Sequence, residues 1–354
     1  MMTRPSLFRA SLTLLIGAWS LLNMPPAVAS SGLETCLMEA LQQADNSATV
    51  GELRARCMAE QDGVSNTDTS APADAPAPAV SDAAPTGAEQ RLALEESLDE
   101  NPWVITPHKP NYLLPIAYNS SVNTAPFVHT GEQDAIEKNE VKFQISFKFP
   151  LARNLFNSNT DAYFAYTNQS YLQAYSDGIS APFRETNHEP ELILAHKNDW
   201  EIFGWKNSLL MAGFAHQSNG RSDPLSRSWN RLYASAVFER GNWAFNIKPW
   251  YRLPEDEKTS PLDTEGDDNP DIYKYMGYGE LRLFYHSNGH VVTLMERNNL
   301  TSDSKGAVEL DYSFPLYGKM KGYVQYFYGY GESLIDYNAR TNRVSAGVAI
   351  SDWF

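Results

Sequence analysis

Three residues within one short stretch of the chain have the types and the spacing that ester hydrolysis requires. Ser218 and His216 lie two positions apart, and Asn230 follows a turn-rich segment, 219–227. Hydrolysis of an ester needs a nucleophile, a base within hydrogen-bond reach and a group that fixes the tautomer of the base. The sequence therefore predicts a Ser–His–Asn triad. The uncharged amide of Asn230 would orient the imidazole as a carboxylate does, but it would stabilise the imidazolium less.

The elements that must hold these residues are two strands joined by the turn-rich segment. Side chains alternate between the two faces of a strand, so His216 and Ser218 share a face with apolar neighbours. These neighbours are Leu210, Ala212 and Phe214. The face of Asn230 continues with Leu232, Ala234, Ala236 and Phe238. A hairpin centred on Asp223 would set His216 opposite Asn230.

Polar residues on an apolar strand face favour a membrane barrel. A His-x-Ser pair is common in strands, and Asn and Ser in loops are usually turn formers. In a soluble protein this face would be core, where a reactive serine could not meet a substrate. In a membrane barrel the face contacts lipid, and polar side chains there cost free energy unless they serve a function. The placement favours an enzyme that acts on lipids at the level of the headgroups.

Segments of alternating polarity start near residue 100 and continue to the end of the chain. The twelve candidate strands are 110–119, 139–150, 160–174, 187–197, 200–218, 228–239, 242–253, 271–286, 289–298, 305–315, 319–329 and 342–354. Short connectors alternate with long polar ones, and the chain ends on Phe354. These features are typical of outer-membrane barrels. The predicted fold class is all-β: a twelve-stranded antiparallel transmembrane β-barrel over residues 100–354, preceded by a small helical segment and a linker.

The N-terminal region has three parts of different composition. Residues 1–29 have the basic start, apolar centre and Ala-Val-Ala end of a secretory signal peptide; a membrane anchor is the alternative. Residues 30–61 are predicted to form two short helices joined by a Cys36–Cys57 disulfide, since paired cysteines in an exported chain usually form a bridge. Residues 62–99 are predicted to be an Ala/Pro-rich linker.

Charge and composition exclude some functions and leave others open. A net charge of −15 argues against a nucleic-acid partner, which would require a basic surface. A passive pore without chemistry is one alternative, although Arg231, Tyr233 and Glu239 on the inward face suggest a filled lumen. A soluble, secreted β-sandwich esterase is another.

The stretch from His216 to Tyr233, HQSNGRSDPLSRSWNRLY, resembles the signature of the outer membrane phospholipase A family. Further matching stretches are 139–144, 182–187, 268–271 with 274–278, and 330–337. The resemblance covers roughly residues 100–354, and the N-terminal cysteine segment is not part of it. It implies a barrel enzyme of the outer membrane that hydrolyses acyl esters of glycerophospholipids, with phospholipase A1, phospholipase A2 and lysophospholipase activity. Ser218 would be the nucleophile, His216 the general base and then acid, Asn230 the orienting residue, and the Gly220 N–H an oxyanion donor.

The resemblance also implies calcium as a cofactor and a homodimer as the active form. By position, the calcium ligands would be the carbonyl of Arg221, Ser226 and Ser180 of the partner subunit, and Asp268 would match a second calcium position used by the monomer. Hydroxyl and carbonyl oxygens suit a hard cation. The family has a glutamine inside the barrel near the dimer face where this chain has Asn168, so we expect altered dimer contacts.

Overall fold

The computed structural model describes Gly87, Arg91, Ala93 and Glu95 and residues 105–178, 183–260 and 266–353. Six predictions fall wholly or mostly outside the described residues. They concern the signal peptide at 1–29, the two short helices at 30–61, the Cys36–Cys57 disulfide, the linker at 62–99, Ser180 and Phe354.

The described chain forms twelve long strands. They are β1 (Asn111–Asn119), β2 (Asn139–Leu155), β3 (Thr160–Leu172), β4 (Phe183–Lys197), β5 (Trp205–Ser218), β6 (Ser228–Arg240), β7 (Trp243–Arg252), β8 (Gly279–Ser287), β9 (His290–Asn298), β10 (Gly306–Tyr317), β11 (Met320–Tyr330) and β12 (Arg340–Ser351). Each strand pairs antiparallel with the next, and β12 pairs with β1. The sheet is therefore closed, and the predicted twelve-stranded barrel is confirmed. Two two-residue strands, Thr106–Pro107 and Glu201–Ile202, pair with β2 and β5.

The connections differ in length between the two ends of the barrel. At one end, called here the loop end, the connections are 120–138, 173–182, 219–227, 253–278, 299–305 and 331–339. At the other, called the turn end, they are 156–159, 198–204, 241–242, 288–289 and 318–319. Long loops at one end and short turns at the other are the arrangement expected of an outer-membrane barrel. Two short 3₁₀ helices, Ala125–Thr130 and Gln133–Ala135, lie in the first long loop.

The strand predicted over 271–286 starts only at Gly279, and this part of the prediction was wrong. Residues Tyr273–Met276 form a single helical turn, α1. Its flanking residue Ile272 and its last residue Met276 belong to a buried cluster at the loop end that includes Trp229 and Trp250. This packing, rather than alternation, determines the local structure. No helix in the described part of the chain is both long enough and apolar enough to cross a bilayer.

The residues described before the barrel contact its turn end. Gly87, Arg91, Ala93 and Glu95 are helical, although they fall within the range predicted to be linker. The Arg91 guanidinium donates to the carbonyl oxygens of Trp353 at 2.7 Å and Pro107 at 2.8 Å. The Glu95 carboxylate pairs with Lys148 of β2 at 2.8 Å. These contacts hold Arg91 and Glu95 against the turn end of the barrel.

The barrel is apolar outside and polar inside. Outward-facing Leu192 and Leu232 are 52% and 48% exposed, whereas the charged residues Lys142, Glu191 and Arg343 are 0%, 1% and 1% exposed. A soluble β-sandwich would show the reverse distribution, since charged side chains are almost never fully buried there unless paired. The distribution is that of a strand barrel whose outer face contacts lipid.

Ion pairs bridge the lumen and largely fill it near the loop end. Lys142 of β2 bonds Glu332 at 3.0 Å, and Arg184 of β4 bonds Glu140 at 2.9 Å and Asp336 at 2.8 Å. Glu332 and Asp336 belong to the segment 331–339, which folds into the mouth of the barrel. The remaining space includes a cavity of about 320 Å³. The predicted inward-facing residues of β6 are buried: Arg231, Tyr233 and Glu239 are 8%, 7% and 2% exposed.

Candidate active site

The hairpin β5–β6 pairs His216 with Asn230, as the predicted centre at Asp223 requires. His216 Nδ1 lies 2.8 Å from Asn230 Oδ1. An amide oxygen only accepts hydrogen bonds, so Nδ1 carries the proton and Nε2 has the free lone pair. The imidazole is thus held in the tautomer that a general base for a serine requires.

These residues lie on the outer face of the barrel near the loop end. Gln217 and Arg231 line the lumen cavity, so the side chains that alternate with them, His216, Ser218 and Asn230, point outward. All three are partly exposed. The predicted position on the hydrocarbon side of the sheet therefore agrees with the structure.

Ser218 is the last residue of β5 and shares the face of His216. Their Cα atoms are separated by two residues of strand, roughly 6.5–7 Å, which an imidazole leaning along the strand can cover. Ser218 pairs with Ser228 on one side and with His188 of β4 on the other. Within the described residues its hydroxyl makes no hydrogen bond to His216. Nucleophile–base hydrogen bonds are often loose before substrate binds.

The loop 219–227 is held by Asn219, which sequence reasoning did not single out. Asn219 is 4% exposed, its backbone N–H bonds Arg227 O at 3.0 Å, and its amide bonds Leu225 O at 2.8 Å and Arg227 N at 3.0 Å. Gly220 follows with φ +62°, a left-handed conformation that glycine adopts without strain. The tendency of Asn to organise turns was the available signal. The loop thus holds the backbone next to Ser218 in a defined conformation.

A second residue missed from sequence is Glu255, in the long loop after β7. The amide nitrogen of Asn230 donates to Glu255 Oε1 at 3.1 Å, and the backbone N–H of Leu253 donates to Asn230 O at 2.8 Å. Burial raises the pKa of Glu255 above its ordinary range, and the hydrogen bond from Asn230 opposes that shift. No periodicity marks a loop residue 25 positions downstream of Asn230, so the sequence offered no signal for this contact.

His188 is a third unpredicted residue, opposite Ser218 on β4. Its Nδ1 lies 2.6 Å from the Tyr166 hydroxyl and 3.5 Å from Asn168 Nδ2. Asn168 lies between Thr167 and Gln169, which both line the lumen cavity, so its side chain points outward. The prediction that position 168 faces the inside of the barrel was therefore wrong. Alternation along β3 decides the question, and it sets this amide beside the site.

Two of the predicted calcium ligands are neighbours despite a separation of 42 positions. Ser226 Oγ donates to Asp268 Oδ2 at 2.6 Å, while the ammonium of Lys258 bonds Asp268 Oδ1 at 2.5 Å and Asp223 Oδ1 at 2.7 Å. The described residues contain no group of three or more His, Cys, Asp or Glu side chains arranged to hold a metal ion. The donors are instead hydroxyl and carboxylate oxygens, which suit a hard cation. A cation, the Lys258 ammonium, lies against them.

The chain has clear relatives of known family. A family model described as Phospholipase A1 matches residues 88–350. The chain is 40% identical to phospholipase A1 of Escherichia coli K12 over 255 residues, which are 72% of this chain and 84% of that protein. It is 42% identical to a putative phospholipase A1 of Neisseria meningitidis over 277 residues, 74% of this chain and 70% of the relative. This chain belongs to the phospholipase A1 family.

Solved structures of the family also match this chain. Outer membrane phospholipase A of Escherichia coli is 40% identical, with a TM-score of 0.66, and the match covers 72% of this chain and 95% of that one. The outer membrane phospholipase of Salmonella typhi, solved as a dimer with bound calcium, is 40% identical with a TM-score of 0.67 and coverage of 73% and 97%. The resemblance stated from the sequence is confirmed, and the enzyme class is that of the phospholipases, which are ester hydrolases.

Proposed function

We propose that this phospholipase hydrolyses sn-1 and sn-2 acyl esters of glycerophospholipids, and of lysophospholipids, in the bacterial outer membrane. The observation that carries the proposal is the 2.8 Å bond between His216 Nδ1 and Asn230 Oδ1 on the lipid-facing side, beside Ser218. An acyl ester at the membrane surface would approach from that side. The family and the barrel fold support the outer-membrane location.

The proposed chemistry is acyl transfer to Ser218 followed by hydrolysis. His216 Nε2 takes the hydroxyl proton of Ser218 while the oxygen attacks the ester carbonyl carbon. The backbone N–H of Gly220 donates to the oxygen that becomes negative. The imidazolium then gives its proton to the departing glycerol oxygen. In the second half, His216 takes a proton from water while the resulting hydroxide attacks the acyl carbonyl carbon. The bond between that carbon and the Ser218 oxygen then breaks as the imidazolium gives the proton to the Ser218 oxygen, and a free fatty acid leaves.

We also propose calcium as the cofactor and a homodimer as the active form. When bound, the cation would supply positive charge close to the developing oxyanion. Ser226 Oγ, the carbonyl of Arg221 and Ser180 of the partner subunit would hold it, with Asp268 serving a second position. The adjacency of Ser226 and Asp268 fits an oxygen-ligated cation, and calcium in the Salmonella typhi dimer supports the choice.

The N-terminal assignments complete the proposal. Residues 1–29 would be removed as a signal peptide during export, residues 30–61 would carry the Cys36–Cys57 bridge, and residues 62–99 would join them to the barrel, with Arg91 and Glu95 of this range bonded to its turn end. A passive pore is not favoured, because ion pairs such as Lys142–Glu332 cross the lumen and segment 331–339 occupies its mouth.

The test is hydrolysis of a labelled phospholipid in detergent by wild type and Ser218→Ala. We expect Ser218→Ala to abolish hydrolysis while the barrel stays folded, as judged by circular dichroism. Excess chelator should abolish hydrolysis by the wild type, and added calcium should restore this activity. Full activity in Ser218→Ala would remove this residue from the mechanism, and undiminished turnover in chelator would contradict the cofactor.

A further inference from the structure

Glu255, in the loop after β7, bonds Asn230, the residue that orients His216. We propose that Glu255 is a positioning residue, which fixes the amide of Asn230 so that only its oxygen faces His216. The inference rests on the proposed function of the Ser218–His216–Asn230 triad. It adds a fourth residue, from a different loop, that acts through Asn230.

Two hydrogen bonds join the loop to Asn230. One runs from Asn230 Nδ2 to Glu255 Oε1 at 3.1 Å, and the other from the backbone N–H of Leu253 to Asn230 O at 2.8 Å. The backbone bond holds the start of the loop against β6, and the side-chain bond is then made two residues later. The loop and the orienting amide are thus bound to each other at both backbone and side chain.

The direction of the Asn230 amide decides which tautomer His216 adopts. An ionised carboxylate only accepts hydrogen bonds, so the NH₂ end of the amide must face Glu255 and the oxygen must face His216. A flipped amide would bring its oxygen against the carboxylate and would donate to His216 Nδ1. The imidazole proton would then lie on Nε2, where it blocks transfer from Ser218. A carboxylate in this position has acceptor oxygens at both ends and cannot be flipped in this way, whereas the amide of Asn can.

The same bond partly offsets the missing charge of Asn230. Hydrogen bonds in a chain polarise one another, so a carboxylate at Nδ2 increases the negative partial charge on Oδ1, which faces the imidazolium as it forms. Among the described residues Glu255 has no ion-pair partner. The nearby cation Arg252 bonds Asp267 at 2.5 Å instead. The Glu255 carboxylate is therefore directed at Asn230.

The experiment measures kcat and KM for phospholipid hydrolysis by the full-length protein in detergent with saturating calcium. Glu255→Ala should lower kcat by roughly 10- to 100-fold, the range of a hydrogen bond to a charged group, with little change in KM. Glu255→Gln keeps an acceptor oxygen for Asn230 Nδ2 and should recover a large part of that loss. Glu257→Ala is the matched control, because Glu257 is an exposed acidic residue of the same loop, and its activity should equal that of wild type.

The double variant Glu255→Ala/Asn230→Ala separates positioning from general damage to the loop. If Glu255 acts through Asn230, replacing Glu255 should cause no further loss of kcat when Asn230 has already been replaced by alanine. An equal further loss in the double variant, a change in KM alone, Glu255→Gln no better than Glu255→Ala, or wild-type kcat in Glu255→Ala would each overturn the proposal. Failure of the triad itself has a different signature, which is activity retained by Ser218→Ala.

Discussion

Replacing Lys258 with methionine should tighten calcium binding. The Lys258 ammonium bonds both Asp268 and Asp223, and Asp268 also accepts from Ser226. If Asp268 serves calcium, the ammonium and the metal compete for its carboxylate. Methionine keeps the length and the apolar stem of the side chain and removes the charge, so it isolates that competition.

The size of the effect follows from the exposure of the two ion pairs. The side chains of Lys258, Asp223 and Asp268 are 12%, 18% and 10% exposed. Exposed pairs contribute ~0.2–1 kcal/mol each, and these partly buried pairs should lie near the upper end, giving ~1–2 kcal/mol together. Since about 1.4 kcal/mol corresponds to a tenfold change, the Kd for calcium should fall roughly 5- to 30-fold.

The assay is isothermal titration of calcium into the full-length protein in detergent, in a Ser218→Ala background so that no lipid is consumed. Lys305→Met is the matched control, because Lys305 is a loop-end lysine whose carboxylate partner is Asp303. It should leave Kd within about twofold, since screening by salt limits the effect of a distant charge. An unchanged or weaker affinity in Lys258→Met, or an equal gain in Lys305→Met, would refute the competition between lysine and calcium.

Two further predictions concern packing and association. Gly213→Val should destabilise the barrel by about 1–3 kcal/mol, because a Cβ at Gly213 would lie 2.5 Å from the Tyr233 ring in the lumen. Equilibrium unfolding in urea measures this loss of stability. Equal stability of Gly213→Val and the outward-facing control Ala234→Val would contradict the prediction. Asn168→Gln should strengthen dimerisation, since a longer amide beside His188 on the outer face can reach a second copy, and one added hydrogen bond corresponds to ~1 kcal/mol or about fivefold. Sedimentation in detergent with calcium measures this, and a weaker dimer would show that the shorter amide is the better fit here.

The faces of the strands could be predicted from sequence because alternation has a period of two. One residue of error in register would have moved every side chain to the other face, yet the turn-rich segment centred on Asp223 set His216 opposite Asn230 as expected. The same rule, applied to β3, would have set Asn168 outside. The family comparison, not the alternation, led to the opposite expectation.

Contacts made by the long loops could not be predicted, because no periodic signal fixes where a loop residue lies. Glu255 and Lys258 come from one polar loop and end beside Asn230 and Asp268. The strand predicted over 271–286 failed for a related reason. In the sequence, an apolar residue such as Ile272 looks the same whether it lies in a strand or in a buried cluster. Only the packing at the barrel mouth distinguishes the two.

A catalytic group on the outside of a barrel must be oriented differently from one in a soluble hydrolase. Within one subunit, the supporting contacts come from the neighbouring strand of the sheet and from the loop after β7. His216 is held across the hairpin by Asn230, and Asn230 by Glu255. Behind them, Trp229 bonds Gln217 at 2.8 Å in the lumen and stiffens the same hairpin from the inner side. Orientation therefore depends both on the paired strands β5 and β6 and on the loop after β7, and substitution of Glu255 in that loop should lower turnover without altering the fold.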